Sequence, residues 1–285
     1  MNLVVEAIDG ALDLHLSGRC SRLYVSLTHD HFCVVDDGPG LEPSEVLDQL
    51  ETHHKKRTRQ GDRAHAHVIG TGMGLAMINA LARRLEFELR RAGEVRRWVF
   101  EGTVLVSENE LVGACDDSGT TLRVWPDASL MREPLPSRAE LSAVLEKVHW
   151  LCPALRVELD GRRFSGEAGL AAWIRRQPEW DGSPVETLEL VDGARGARVG
   201  LAWAWLDEPC VARQAAFVNL RETPRGSHMD ALLEGLAARY GVSPAMARRR
   251  VLALVSVVLE EPRYDSPTRE VLAQPELGAW IEASL

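Results

Sequence analysis

The sequence predicts an α/β chain of two domains, and three observations carry that expectation. An apolar pattern at helical spacing opens the chain and gives way to alternating, β-branched stretches. Two glycine-bearing turns stand at element junctions: Asp36-Asp37-Gly38-Pro39-Gly40 after a strand, and Gly70-Thr71-Gly72-Met73-Gly74 before a helix. The length of 285 residues exceeds one average domain. A Pro-, Trp-, Asp- and Gly-bearing segment from Gln177 to Pro184 places the boundary between residues 1–180 and 181–285.

Each element follows from local pattern. Leu3, Val4, Ile8, Ala11, Leu12 and Leu16 make one face of a first helix, which Gly18 stops. Leu23 to Leu27 and Phe32 to Val35 read as strands joined by a turn at His29-Asp30-His31. Pro43 to Leu50 is a short helix. Glu51 to His67 is polar, lacks periodicity and reads as a loop. A helix follows Gly74, with Leu75, Met77, Ile78, Leu81 and Leu85 on its apolar face. Strands are expected at Leu85 to Arg91, Arg96 to Phe100, Thr103 to Val106 and Thr121 to Trp125. Ser137 with Glu140 caps a helix running to Trp150. A strand at Leu155 to Leu159 and a helix at Ala168 to Arg176 close the first domain. The second reads strand, strand, strand, helix, strand, helix, with strands at Val199 to Trp205, Gln214 to Val218 and Val251 to Leu259 and a helix at His228 to Tyr240.

Composition excludes several classes. The chain is 45% hydrophobic and 26% charged, as in ordinary globular proteins. Its net charge of −9 makes it a poor non-specific binder of nucleic acid, so DNA contact is expected to be weak or indirect. No apolar run approaches the roughly 20 residues that cross a bilayer. Glu6 and Asp9 interrupt the first apolar stretch, so no signal peptide and a cytoplasmic location are expected. Cys20, Cys33, Cys115, Cys152 and Cys210 are scattered and read as reduced thiols. His53, His54, His65 and His67 lack the ordered spacing of a metal site and read as a solvated loop.

Chemistry concentrates in the first half. Glycines let backbone N–H groups approach phosphate closely, and a helix start adds free donors. An Asp at a strand end accepts an exocyclic amine. A Glu on a neighbouring helix activates water. The spacing is neither a dinucleotide fingerprint nor a Walker A loop.

These motifs, in order, resemble the GHKL, or Bergerat-fold, ATPases, and within them the ATPase and transducer portions of the gyrase B and topoisomerase IV type. Glu6-x-x-Asp9-Gly10-Ala11-x-Asp13 is similar to the family's Glu-x-x-Asp-Asn-Ala-x-Asp helix. Ser17-Gly18-Arg19-Cys20 resembles its Ala-Gly-x-Cys ending, and Asp36 to Leu41 its Asp-Asp-Gly-Arg-Gly-Ile turn. Gly72-Met73-Gly74 resembles its Gly-Val-Gly loop, and Gly119-Thr120 opens a further family block. Phe217-Val218-Asn219 to Gly226-Ser227-His228 and Pro262 to Arg269 resemble transducer segments. The resemblance implies a Bergerat ATP-binding domain followed by a transducer domain of the ribosomal-protein-S5-like type. It implies ATP as ligand, with Glu6 as general base and Arg269 as the cation on the phosphates. Asp36 would hold adenine, supported by Thr120, with Gly38 and Gly40 close to the base. Gly70, Gly72, Met73 and Gly74 would cradle phosphate, and the polar loop would act as a lid.

Departures from the family pattern set further expectations. The family's magnesium-binding Asn is Gly10 here, so Mg²⁺ loses a protein ligand; Asp9 points about 100° away on a helix. Arg269 stands for the family Lys, Pro267 for Gln and Pro39 for Arg. The chain opens at the catalytic helix and stops at the transducer, so neither the N-terminal arm nor a toprim domain is expected. The implied protein binds ATP with impaired hydrolysis, as a monomer or weak homodimer. The alternatives are the ATPase component of a split topoisomerase, with a toprim-bearing subunit on another chain, and a nucleotide-sensing scaffold.

Overall fold

The computed structural model describes residues 3–51, 74–193, 196–209 and 213–285. It divides into two compact units, Met1–His149 with Pro153–Ser165, and Trp150–Cys152 with Gly166–Leu285.

The first unit layers helices on one face of a large sheet. Helix α1 spans Leu3–Leu16, followed by β1 (Arg22–Leu27) and β2 (Phe32–Asp36). A 3-10 turn at Pro43–Glu45 leads into α2 (Val46–Glu51). Then come α3 (Gly74–Ala80), β3 (Ala82–Arg91), β4 (Glu94–Glu101), β5 (Val104–Ala114), β6 (Gly119–Pro126), α4 (Arg138–Leu151), β7 (Arg156–Leu159) and β8 (Arg162–Arg163). The sheet order is β5-β4-β3-β6-β2-β1-β7-β8. The β1–β7 pair is parallel, which fixes a crossover that hairpins alone cannot make. Strand alternation sets the layering. Leu85, Phe87 and Leu89 of β3 are buried with Phe100 and Val124. On the opposite face Arg84, Glu86 and Glu88 pair with Glu101 and Arg123 of neighbouring strands.

The second unit is built on a five-stranded sheet. Its elements are α5 (Leu170–Arg175), β9 (Val185–Asp192), β10 (Ala197–Trp205), β11 (Gln214–Val218), β12 (Arg221–Glu222), β13 (Arg225–Gly226), α6 (Ser227–Tyr240), α7 (Pro244–Arg250), β14 (Val251–Leu259), β15 (Val271–Leu272) and α8 (Pro275–Glu282). The order β12-β11-β14-β10-β9 puts the largely apolar β14 at the centre. Val251, Ala253, Val255 and Val257 pack with Leu232, Leu233 and Leu236 of α6 on one face. Leu252 and Leu254 pack with Trp173 and Ile174 of α5 on the other. Trp203 is core and Trp205 stacks on Tyr240 at 4.1 Å.

Several expected boundaries move. The helix after Gly74 ends at Ala80, because Leu81 and Leu85 do not share its face; Leu85 is fully buried within β3. The strand expected at Thr103–Val106 runs on to Ala114. The expected domain division at 180/181 lies beyond α5, which joins the second unit because Trp173 and Ile174 pack into that unit's core. Cys20, Cys33, Cys115 and Cys152 are free thiols, while Cys210 lies outside the described residues. Among the described residues, no helix is long and apolar enough to cross a membrane.

Candidate functional site

The end of β2 presents a buried carboxylate. Asp36 is its last residue and is 6% exposed. One carboxylate oxygen accepts the Gly38 N–H at 2.8 Å, and the other accepts the Thr120 hydroxyl. Thr120 lies directly opposite Asp36 in the antiparallel β2–β6 register. Burial pushes the Asp36 carboxyl up, against the lowering from the Thr120 and Gly38 hydrogen bonds and the Arg90 charge. A carboxylate has about four lone-pair positions, so two remain for a donor from a ligand.

The turn after Asp36 is shaped by close backbone approach. Gly40 has φ +70°, and a Cβ there would strike the Leu89 side chain. Gly119, beside Thr120, has φ +151°, and a Cβ there would overlap the Asp36 carbonyl and the Arg90 guanidinium. Asp37 turns away from Asp36 and ties β1 to the turn, accepting the N–H groups of Ser21 at 2.7 Å and Arg22 at 2.8 Å. Burial acts to raise its carboxyl, but the Ser21 hydroxyl and these two amides outweigh it and hold the group well below the usual carboxylate range. The Cys20 thiol, buried near both acids, is pushed up to about 12 and is an inert structural thiol.

Helix α1 contributes Glu6. Its Oε1 accepts the Gly74 N–H at 2.9 Å, joining α1 to the first residue of α3 across 68 positions of sequence. Gly74 takes φ +54°. The predicted Glu and one predicted phosphate-loop glycine are therefore neighbours. Gly70, Gly72 and Met73, the expected lid and its four histidines lie outside the described residues. Gly10 is exposed on α1, and a Cβ there would meet nothing within 4 Å. A magnesium ion thus finds no side-chain oxygen at position 10. Asp9 and Asp13 are buried, at 8% and 9% exposure.

Two further arginines join the site without any motif to announce them. Arg90, at the end of β3, donates to the Asp36 carbonyl at 2.9 Å and to the Thr121 hydroxyl at 2.8 Å, and pairs with Asp117 at 3.4 Å. Arg91 donates to the Pro39 carbonyl at 3.2 Å and pairs with Glu42. No motif marks either position in the sequence: alternation along β3 places Arg90 on the face of Arg84, Glu86 and Glu88, and Arg91 on the face of Leu85, Phe87 and Leu89.

Arg269 belongs to the second unit. It stands at φ +60° in the turn between Tyr264 and β15, closed by its N–H on the Ser266 carbonyl at 3.2 Å. Its guanidinium carbon is 5.9 Å from the centre of the Tyr264 ring. The Arg248–Arg250 run ends α7: Arg248 pairs with Asp230 at 2.8 Å, and Arg250 donates to the Leu206 carbonyl at 3.0 Å. Those contacts make it a helix end.

Residues 1–130 match the family described as histidine kinase-, DNA gyrase B-, and HSP90-like ATPase. The chain is 26% identical to the B subunit of DNA topoisomerase 4 from Pseudomonas aeruginosa, over 98% of this chain and 50% of that protein. It is 22% identical to the B subunit of DNA gyrase from Helicobacter pylori, over 98% of this chain and 40% of that protein. The chain therefore spans about half the length of the curated relatives it matches. In fold it is similar to the crystal structure of the B subunit of DNA gyrase from Myxococcus xanthus, with a TM-score of 0.82 at 21% identity, covering 99% of this chain and 87% of that one. A buried Asp36 paired with Thr120 and a Glu6 set against the start of α3 thus lie within the stretch, residues 1–130, that matches the histidine kinase-, DNA gyrase B-, and HSP90-like ATPase family.

Proposed function

We propose that this chain binds ATP through its first unit and hydrolyses it slowly, acting with a gyrase- or topoisomerase-type subunit carried on another chain. The observation that supports this most directly is the buried Asp36–Thr120 pair, whose unused lone pairs suit the exocyclic amine of adenine. Gly38 and Gly40 keep the turn thin enough for a base to approach. Gly74, with Gly70, Gly72 and Met73 of the same motif, offers backbone N–H groups to phosphate. Glu6 then takes the proton from the water that attacks the terminal phosphorus, as the bond to the leaving phosphate oxygen breaks.

Slow turnover follows from Gly10, which supplies no oxygen to Mg²⁺, and from Arg269, whose planar fork differs from an ammonium in reach. The role of Arg269 rests on the motif match. The negative net charge favours an indirect relation to DNA, through the partner, and a monomer or weak homodimer in solution.

Calorimetry with a non-hydrolysable ATP analogue, with and without Mg²⁺, tests the reading, followed by steady-state hydrolysis on the same sample. Binding with turnover abolished by Glu6→Ala supports it. Absence of binding overturns it. Binding without any turnover favours the second reading, a nucleotide-gated scaffold, for which the open position 10 is the specific observation. Gly10→Asn separates the two: the space is free, so a gain in Mg²⁺-dependent turnover would show that only the metal ligand was missing.

A further inference from the structure

Arg90 joins three segments that meet behind the proposed base-binding carboxylate. It leaves the end of β3 with its side chain 17% exposed. One terminal nitrogen donates to the Asp36 main-chain oxygen at the end of β2, and the other to Thr121 Oγ1 on β6. Its Nε pairs with Asp117, in the turn that precedes β6. Gly119 completes the joint, because any side chain there would collide with the same guanidinium and the same carbonyl. The partners Asp36 and Thr121 sit beside the one contact that matters for a base, the Asp36–Thr120 pair. A planar, forked cation satisfies two acceptors at fixed spacing, which a lysine ammonium or a glutamine amide does not.

We infer that Arg90 is a positioning residue for nucleobase recognition, fixing the ends of β2 and β6 so that Asp36 and Thr120 face an adenine amine in one register. The inference rests on the proposed ATP binding. Nothing places Arg90 against the ligand; it acts through Asp36. Its charge has a second effect. Asp36 is surrounded by Asp37 next in the chain, the neutral Cys20 thiol, the Thr120 hydroxyl, and Arg90 with its own partner Asp117. Arg90 is the cation named among them, and it opposes the upward push of burial on the Asp36 carboxyl. Removing it therefore raises that carboxyl further, so the acid limb of ATP binding moves to higher pH.

The test is binding of a non-hydrolysable ATP analogue and its guanine counterpart to the full chain and to Arg90→Ala and Arg90→Lys, across pH, with thermal melting as a check on folding. Arg90→Ala should weaken the adenine analogue by roughly ten-fold, the scale of one lost charge-assisted hydrogen bond, and reduce its preference over guanine by a similar factor. Its acid limb should shift upward. Arg90→Lys should keep the wild-type acid limb and recover part of the affinity. Wild-type affinity in a folded Arg90→Ala protein would overturn the inference. So would equal loss for both bases with an unmoved acid limb, which marks a general structural role. If Arg90→Ala does not fold, Arg90→Lys decides: unchanged affinity and base preference would overturn the inference. If the wild-type chain binds neither analogue, the ATP reading itself fails, and this inference with it.

Discussion

Asp36 is costly where it stands. Its carboxyl is raised by burial, so the ionised form is less stable in the folded chain than in the unfolded one. The sign follows: this group contributes most favourably below its unfolded pKa, and its contribution falls as pH rises through the folded value. At neutral pH Asp36→Asn should therefore leave the ligand-free protein as stable or more stable, since the amide oxygen still accepts from Gly38. ATP-analogue affinity should drop at least roughly ten-fold, on the scale of a lost hydrogen bond to a charged group. Paired melting and calorimetry check this, and a variant that melts lower and still binds would refute it. Asp37 is the opposite case, held low by Ser21 and Arg22, and serves the fold. Asp36, Thr120 and Glu6 are legible in the sequence because contiguous motifs carry them. Arg90 is not, because its contact with Asp36 spans 54 positions and nothing local distinguishes it from other polar strand residues.

Helix α1 carries its departure from the family motif at a cost to its own stability. Leu3, Val4, Ala7, Ile8, Ala11 and Leu12 are buried, as their helical spacing requires. Gly10 sits on the other side of the helix, exposed and with nothing within 4 Å of where a Cβ would stand. A glycine inside a helix costs about 0.5–1 kcal/mol against alanine through backbone entropy. Gly10→Ala should accordingly stabilise the chain by about that amount in urea unfolding. A neutral or destabilising result would refute the view of position 10 as open helix surface. The full length of β5 escapes a reading by alternation for a related reason. It is an edge strand with Val104, Val106 and Leu111 exposed, so one face never becomes a core and alternation fades. The helix starting at Gly74 looks longer in sequence than it is, because Leu85 mimics helical spacing while belonging to β3.

At the scale of the whole chain, element types are largely legible, whereas strand order is not. The parallel β1–β7 and β11–β14 pairs join strands far apart in sequence, and no local pattern announces them. The central position of β14 explains why its apolar run lacks alternation: it is covered on both faces. That second unit also carries a pH response of its own. His228 is the sole histidine between residues 166 and 285 and is fully buried at the start of α6. Its Nε2–H donates to the Thr223 carbonyl at 3.0 Å, and desolvation lowers its pKa from 6.5 to about 4. The unfolded chain therefore takes up this proton first. Stability is full above about 6.5, falls as pH drops from there to about 4, and is flat below, with a total loss of the order of 3 kcal/mol from this group. Asp181, held below the usual carboxylate range by Ser183 and Asp207, loses its contribution only in stronger acid, so the window belongs to His228. Segment-resolved hydrogen exchange should show α6 and β14 exchanging faster as pH falls through that window, after correction for intrinsic exchange rates. His228→Gln, whose amide reaches about as far as Nε2 to donate to Thr223 and which removes the titration, should flatten the response. An identical acid slope in the variant would assign the loss of protection to other groups and remove His228 from the account of how this unit holds together.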